Sequence, residues 1–197
     1  GVVESVAGHE NLCIHVASAL PGERIRARIA HRSPHVREGW RQAWAELEEI
    51  ITPSGDRVAP PCPVQGRCGA CALMHLAYPA GLEWKRERVG NELRRRVELS
   101  SVEVAACVPS PVTLGYRNQA KYVYARGERG EVVLGAYAPR SHEVVDLACC
   151  CVVEPILDEA RRILLAILCS HGVEPYHELR RTVVCGQAAQ LRKRAMP

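Results

Sequence analysis

Apolar and polar positions alternate most strictly over Glu23–Ile29, with Ile25, Ala27 and Ile29 on one face and Arg24, Arg26 and Arg28 on the other. A period of two is that of a half-buried strand, here showing water a row of guanidinium groups. Leu20-Pro21-Gly22 before it reads as a turn, Pro fixing φ and Gly being free to take a positive φ. Val2–Val6, Leu12–Val16 and Ala45–Ile51 predict further short strands, and such a series suggests a small β-barrel. After a Pro-rich connector at Pro53–Pro63, the apolar spacing of Leu82, Val89, Leu93 and Val97 predicts a helix over Leu82–Val97. Gln119–Ala125 and Val132–Tyr137 read as a hairpin around Arg126–Glu131, where Gly127 and Gly130 supply unusual backbone angles. A strand at Glu143–Leu147 follows. Pro155–Cys169 is the clearest helix: Pro suits its first turn, and Ile156, Leu157, Ala160, Ile163, Leu164, Ile167 and Leu168 fall at helical spacing. Gly172 ends it. The pattern as a whole predicts an α+β protein without internal repeats.

Composition narrows this reading. Apolar residues make up 47% and charged residues 24% of 197 positions, enough for a packed core. No run of about 18 apolar residues exists, which excludes a membrane-spanning helix. With no Phe in the chain, the core rests on Val, Leu, Ile and Ala. The net charge of +4 is mild, but Trp84–Arg96 gathers Lys85, Arg86, Arg88, Arg94, Arg95 and Arg96 against Glu87 and Glu92. Such a patch suits a polyanion such as RNA, and equally a solvated helix face.

The ten cysteines carry the chemistry. Cys62, Cys68 and Cys71 lie within ten residues, and Cys149, Cys150 and Cys151 are consecutive. Neighbouring cysteines are poor disulfide partners for each other, so a reduced, cytoplasmic protein with a metal centre is expected. Cys62-x5-Cys68-x2-Cys71 puts three thiols on one short loop, which Gly66 and Gly69 let wrap tightly while offering amide N–H groups to the sulfurs. A tetrahedral thiolate set needs a fourth ligand, and the 149–151 triplet is the obvious supply. Thiolate-only sites take zinc or an iron–sulfur cluster. A redox Cys-x2-Cys pair or buried apolar cysteines are the alternatives. Cys13, Cys107, Cys169 and Cys185 read as packing residues, and His75 as a donor to the metal site or a merely buried histidine. No Ser–His–Asp set, phosphate-binding Gly loop or Gly-x-Gly-x-x-Gly is present.

Leu20-Pro21-Gly22-Glu23-Arg24 in a strand-rich opening resembles the TRAM domain, an OB-like RNA-binding barrel. Arg57 to Pro63, Cys68-Gly69-Ala70-Cys71, His75, Tyr78, Leu82 and Lys85 resemble the cluster segment of the S-adenosylmethionine-dependent RNA (uracil-C5)-methyltransferases. Gly115-Tyr116-Arg117-Asn118-Gln119-Ala120, Leu134-Gly135-Ala136-Tyr137 and Ser141-His142-Glu143-Val144-Val145-Asp146, followed by Cys150 and Pro155, match that family's central domain. The resemblance covers about residues 5–184. It implies a TRAM-like barrel at 1–55, a cysteine segment and helix at 56–98, and a central α+β domain at 99–197, whose atypical tail, Cys185–Pro197, resembles nothing in the family. It also implies a [4Fe–4S] cluster on Cys62, Cys68, Cys71 and Cys150. The family places its fourth cysteine four residues after the Asp of the Val-Asp pair and five before a Pro; Cys149 and Cys151 remain alternatives. Ala70 stands where the family usually has Gly, tolerable only at negative φ, and Met74 stands where it has Gln.

In that family a C-terminal domain holds the S-adenosylmethionine loop, a cysteine that adds to uracil C6 and a carboxylate that removes the C5 proton. These 197 residues show none of them, and Cys185 is not read as that nucleophile. The chain is therefore expected to bind and present ribosomal or transfer RNA, not to methylate it alone. A fragment, a proteolytic remnant and a frameshifted product all fit. Arg24, Arg26, Arg28, Arg117 and Lys121 are the expected RNA contacts, with Tyr122 or Tyr124 stacking on an unpaired base. A monomer with no membrane partner is expected. A zinc-stabilised RNA-binding module is the alternative reading, and a thiol redox protein a third.

Overall fold

A computed structural model describes residues 2–6, 9–37, 39–127, 129–175 and 189–192. These residues form an α+β fold that divides into two units, neither continuous in sequence. One comprises Gly1–Ala59 with Leu73–Cys107, the other Pro60–Ala72 with Val108–Pro197. The cysteine loop belongs to the second unit and the helix after it to the first.

The first unit holds strands β1 (Val2–Val6), β2 (His9–Val16), β3 (Arg24–Arg37) and β4 (Trp40–Thr52) in the order β1-β2-β4-β3. β2 and β4 run parallel, and the other pairs antiparallel. Among the described residues β1 and β3 are edges, so the strands make an open sheet and not the closed barrel expected. Leu12, Ile14 and Val16 of β2 pack with Ala43 and Ala45 of β4, and Ile25, Ala27 and Ile29 of β3 lean on them. The alternation read from Glu23–Ile29 therefore holds, but β3 continues far past it. β4 changes phase: Leu47 opposes Ala27, yet Ile50 opposes Ile25, because the register slips between Arg26 and Ala27. One residue too many on one strand is a bulge, which bends the sheet.

Helix α1 (Tyr78–Arg94) and a 3₁₀ turn at Val97–Leu99 complete this unit. Pro79 sits in the first turn, so the helix starts earlier than the apolar spacing suggested. The expected stripe is not a buried one. Val89 and Val97 are 50% and 86% exposed, and Gly90 is the buried residue of the helix.

The second unit holds β5 (Gln119–Arg126), β6 (Val132–Tyr137), β7 (Val144–Val145) and β8 (Ala189–Arg192) in the antiparallel order β7-β6-β5-β8. Gly135 is required on β6, since a Cβ there would lie 2.2 Å from the Val145 carbonyl oxygen. Helix α2 (Pro155–Ser170) packs Leu164, Leu165 and Leu168 on a core of Tyr122, Tyr124, Leu134 and Leu147. Its inward stripe is thus Leu157, Arg161, Leu164 and Leu168, and the isoleucines grouped with it in the sequence (Ile156, Ile163, Ile167) are exposed. No helix among the described residues is long and apolar enough to cross a membrane.

Candidate metal centre

Cys62, Cys68 and Cys71 lie on a loop tightened by its own backbone. The Gln65 N–H donates to the Cys62 carbonyl (3.2 Å), and those of Arg67 and Cys68 to the Val64 carbonyl (3.1 and 2.9 Å). Gly66 takes φ +89°, a left-handed turn natural to glycine. Gly69 serves a different purpose. Its N–H donates to the Tyr137 carbonyl (3.1 Å), and a Cβ would crowd that oxygen. That amide is spent on β6 and not on a sulfur, which corrects the expected role of this glycine. Ala70 is not among the residues with positive φ, so its methyl is tolerated. Val64 and Cys68 pack against the second unit's core, fixing the loop from its apolar side.

The second cysteine segment is anchored at both ends. The Gly115 N–H donates to the Cys151 carbonyl (2.9 Å), that of Arg117 to Val152 (2.9 Å), and that of Glu154 to the Arg117 carbonyl (3.0 Å). From α2 the Arg161 guanidinium reaches the Ala148 carbonyl (3.1 Å), while its Nε donates to Asp158 (3.1 Å). Arg161 is buried and lies over the Tyr122 ring, 5.7 Å from its centroid. Sequence reasoning missed this arginine. Its signal was there: an Arg at the middle of the stripe Leu157, Leu164, Leu168 has to be buried or break the stripe.

These anchors bring sequence-distant thiols into one electrostatic neighbourhood. Burial pushes the Cys71 thiol up; the Arg117 charge opposes this, and Cys150, Cys68 and Cys62 reinforce it. Cys151 is pushed up to about 11 by burial and then by Cys62, Cys150 and Cys71. Burial works against the Arg117 charge, but Tyr116, Cys71 and Cys150 favour it, with a net upward shift. Cys149 is exposed, whereas Cys150 and Cys151 are half-buried. All the described cysteines are free thiols. Among the described residues, no group of three or more His, Cys, Asp or Glu forms a ready cage for a metal ion.

The remaining candidates fall elsewhere. Arg24, Arg26 and Arg28 line the exposed face of β3, but Arg26 pairs with Glu49, and Arg28 with Glu46 and with Glu48 (3.4 Å). Lys121 is exposed on β5. Tyr122 and Tyr124 are buried in the core, which removes both from any base-stacking role. Tyr116 is the exposed aromatic of this segment, with the Arg117 guanidinium 5.9 Å from its ring centroid. His75 is buried in the first unit, its carbonyl accepting the Val58 N–H. Cys169 is exposed and not a packing residue, Cys13 and Cys107 are half-buried, and Cys185 lies outside the described residues.

Fold and site thus define a mixed α+β protein in which a loop of three thiols is electrostatically coupled to a second cysteine segment. No family model matches the chain. Proteins named uncharacterized RNA methyltransferases do: one from Geobacter sulfurreducens is 38% identical over 163 residues, 82% of this chain and 31% of the relative. One from Listeria monocytogenes is 35% identical over 84% of this chain and 35% of the relative. Another, from Halalkalibacterium halodurans, is 31% identical over 91% and 38%. The chain is a homologue of one segment of these RNA methyltransferases, and it spans about a third of the length of the curated relatives it matches.

Proposed function

We propose that the chain is the RNA-binding, [4Fe–4S]-carrying portion of an RNA (uracil-C5)-methyltransferase, presenting ribosomal or transfer RNA to S-adenosylmethionine chemistry housed in another part of the enzyme. The observation that carries it is the electrostatic coupling of Cys71 to Cys62, Cys68 and, across nearly eighty residues, Cys150, in a homologue of RNA methyltransferases. The donor set fits a cluster: free thiols, soft ligands, with the Arg117 cation beside Cys71 and Cys150. One zinc ion, about 2.3 Å from each sulfur, needs its thiolates drawn tightly together. A cluster of several irons accepts wider spacing of its thiolates. When bound, the group supplies covalent links between the 62–71 loop and the 148–151 segment.

The other residues have separable tasks. Arg117 sits beside the thiols, and its charge offsets theirs. Among the candidate contacts on β3 and β5, Lys121 and Arg24 are the exposed cations left for phosphate, while Arg26 and Arg28 contact RNA only by exchanging a glutamate for a phosphate. Tyr116, half exposed, takes the stacking role first assigned to Tyr122 or Tyr124. The reading is tested by titrating the chain into a fluorescent single-stranded RNA at several salt concentrations, with calorimetry against S-adenosylmethionine in parallel. RNA binding that weakens with salt and is lowered several-fold by Tyr116→Ala, with no S-adenosylmethionine uptake, is expected. Absence of RNA binding, or clear S-adenosylmethionine binding, contradicts it.

A further inference from the structure

Tyr122 and Tyr124 stand two apart on β5, point the same way and are both buried, yet their hydroxyls fare differently. The Tyr124 hydroxyl donates to the Val173 carbonyl at 2.5 Å. The Tyr122 hydroxyl, on a side chain 1% exposed, has no hydrogen-bond partner among the described residues. A buried hydroxyl left unpaired costs more than a phenyl ring in the same place. The chain contains no Phe anywhere, so the residue type by itself says little; the position says more. Tyr122 shares its apolar cluster with Val64 and Cys68 of the cysteine loop and with Leu147, just ahead of the cysteine triplet. Its ring carries Arg161, the residue that holds the Ala148 carbonyl.

We infer that the Tyr122 hydroxyl is a hydrogen-bond donor to a sulfur of the metal centre, a positioning residue that raises the centre's reduction potential. The inference rests on the cluster reading above. Burial, followed by the charges of Cys150 and Asp158, pushes the Tyr122 phenol up to about 12 against the opposing pull of Arg161. A tyrosine phenol is in any case protonated near neutral pH and can donate to an anionic sulfur. A hydrogen bond to sulfur favours the more reduced, more negative state of a cluster, so its loss lowers the potential.

Tyr122→Phe removes one oxygen and keeps the ring, and Tyr124→Phe is the control. All proteins are purified without oxygen and analysed for iron and sulfide before a potentiometric titration followed by EPR. Expected are equal iron contents, a lower midpoint potential for Tyr122→Phe and faster loss of its iron to a chelator, with wild-type values for Tyr124→Phe. Metal-free Tyr122→Phe should be no less stable than metal-free wild type, because no protein partner is lost. If that variant does not accumulate, wild type labelled with 3-fluorotyrosine, a more acidic phenol, should show a higher midpoint than unlabelled protein. Equal midpoints in either comparison overturn the inference and leave the cluster standing. Wild type without iron and sulfide overturns both.

Discussion

Each unit of this molecule buries a carboxylate against an arginine, and the two pairs are built for different ends. In the first unit the Glu23 side chain is fully buried, and both its oxygens are used. It accepts from the Leu20 N–H (2.8 Å), the Ser54 N–H (3.2 Å) and the Arg57 guanidinium (2.5 and 2.8 Å). Arg57 in turn donates to the Ser18 carbonyl (2.7 Å). The pair ties the turn before β3 to the connector after β4 and touches no thiol. In the second unit Asp158 and Arg161 are only three residues apart on α2, so their contact fastens nothing distant by itself. The reach comes from the guanidinium, which extends to Ala148 beside the cysteine triplet. A buried ion pair is weak evidence for stability as such. Where its spare donors go distinguishes a clamp on the fold from a support for a site.

The comparison can be broken in several ways. The largest effect is expected from Gly135→Ala, because the new methyl meets backbone, not a movable side chain. Urea unfolding should show a loss of roughly 3 kcal/mol or more, at the upper end for overpacking. Next, Arg161→Met leaves Asp158 buried without its main partner and should cost about 3 kcal/mol in the same assay, the lower end for a broken buried pair, with lowered metal uptake. Glu23→Gln should cost about 2–3 kcal/mol through weakened charged hydrogen bonds while metal uptake stays at the wild-type level. Equal metal loss in these two variants would erase the distinction between clamp and support.

A finer effect lies in pH. The Arg57 hydrogen bonds hold the Glu23 carboxyl at about 2 instead of 4.5. A depressed folded-state value means that this stabilisation is whole above about pH 4.5 and drains away as pH falls toward 2. It amounts to about 3 kcal/mol. Unfolding free energy measured across that interval should fall more steeply in wild type than in Glu23→Gln; parallel curves would refute the assignment. The smallest effect belongs to the exposed pairs of β3 and β4. Arg26→Ala or Glu49→Ala should change stability by less than about 1 kcal/mol, and the change should shrink further in high salt.

How far the sequence was readable follows from which interactions are local. The 119–137 hairpin and α2 were legible, since period and turn residues decide them within a few positions. So was the β3 face, whose arginines alternate with apolar residues. The slip of β4 was only hinted at: the alternation in Ala45–Ile51 breaks at Glu48-Glu49, but only the partner strand shows that the break is a bulge. Nor does period two say which face of β5 turns inward, so Tyr122 and Tyr124 looked available to solvent. Glu23 and Arg57 find each other only in the folded chain. The cysteine loop was visible from spacing, whereas within Cys149-Cys150-Cys151 the residue type makes no distinction and the fold sets exposed Cys149 apart from half-buried Cys150 and Cys151.

The most direct test of the account is the iron and acid-labile sulfide content of the wild type and of Cys149→Ser, Cys150→Ser and Cys151→Ser, purified without oxygen. The account predicts iron and sulfide in equal amounts, kept in Cys149→Ser and Cys151→Ser and lost in Cys150→Ser. Zinc in place of iron, or a full complement of both in Cys150→Ser, would contradict it.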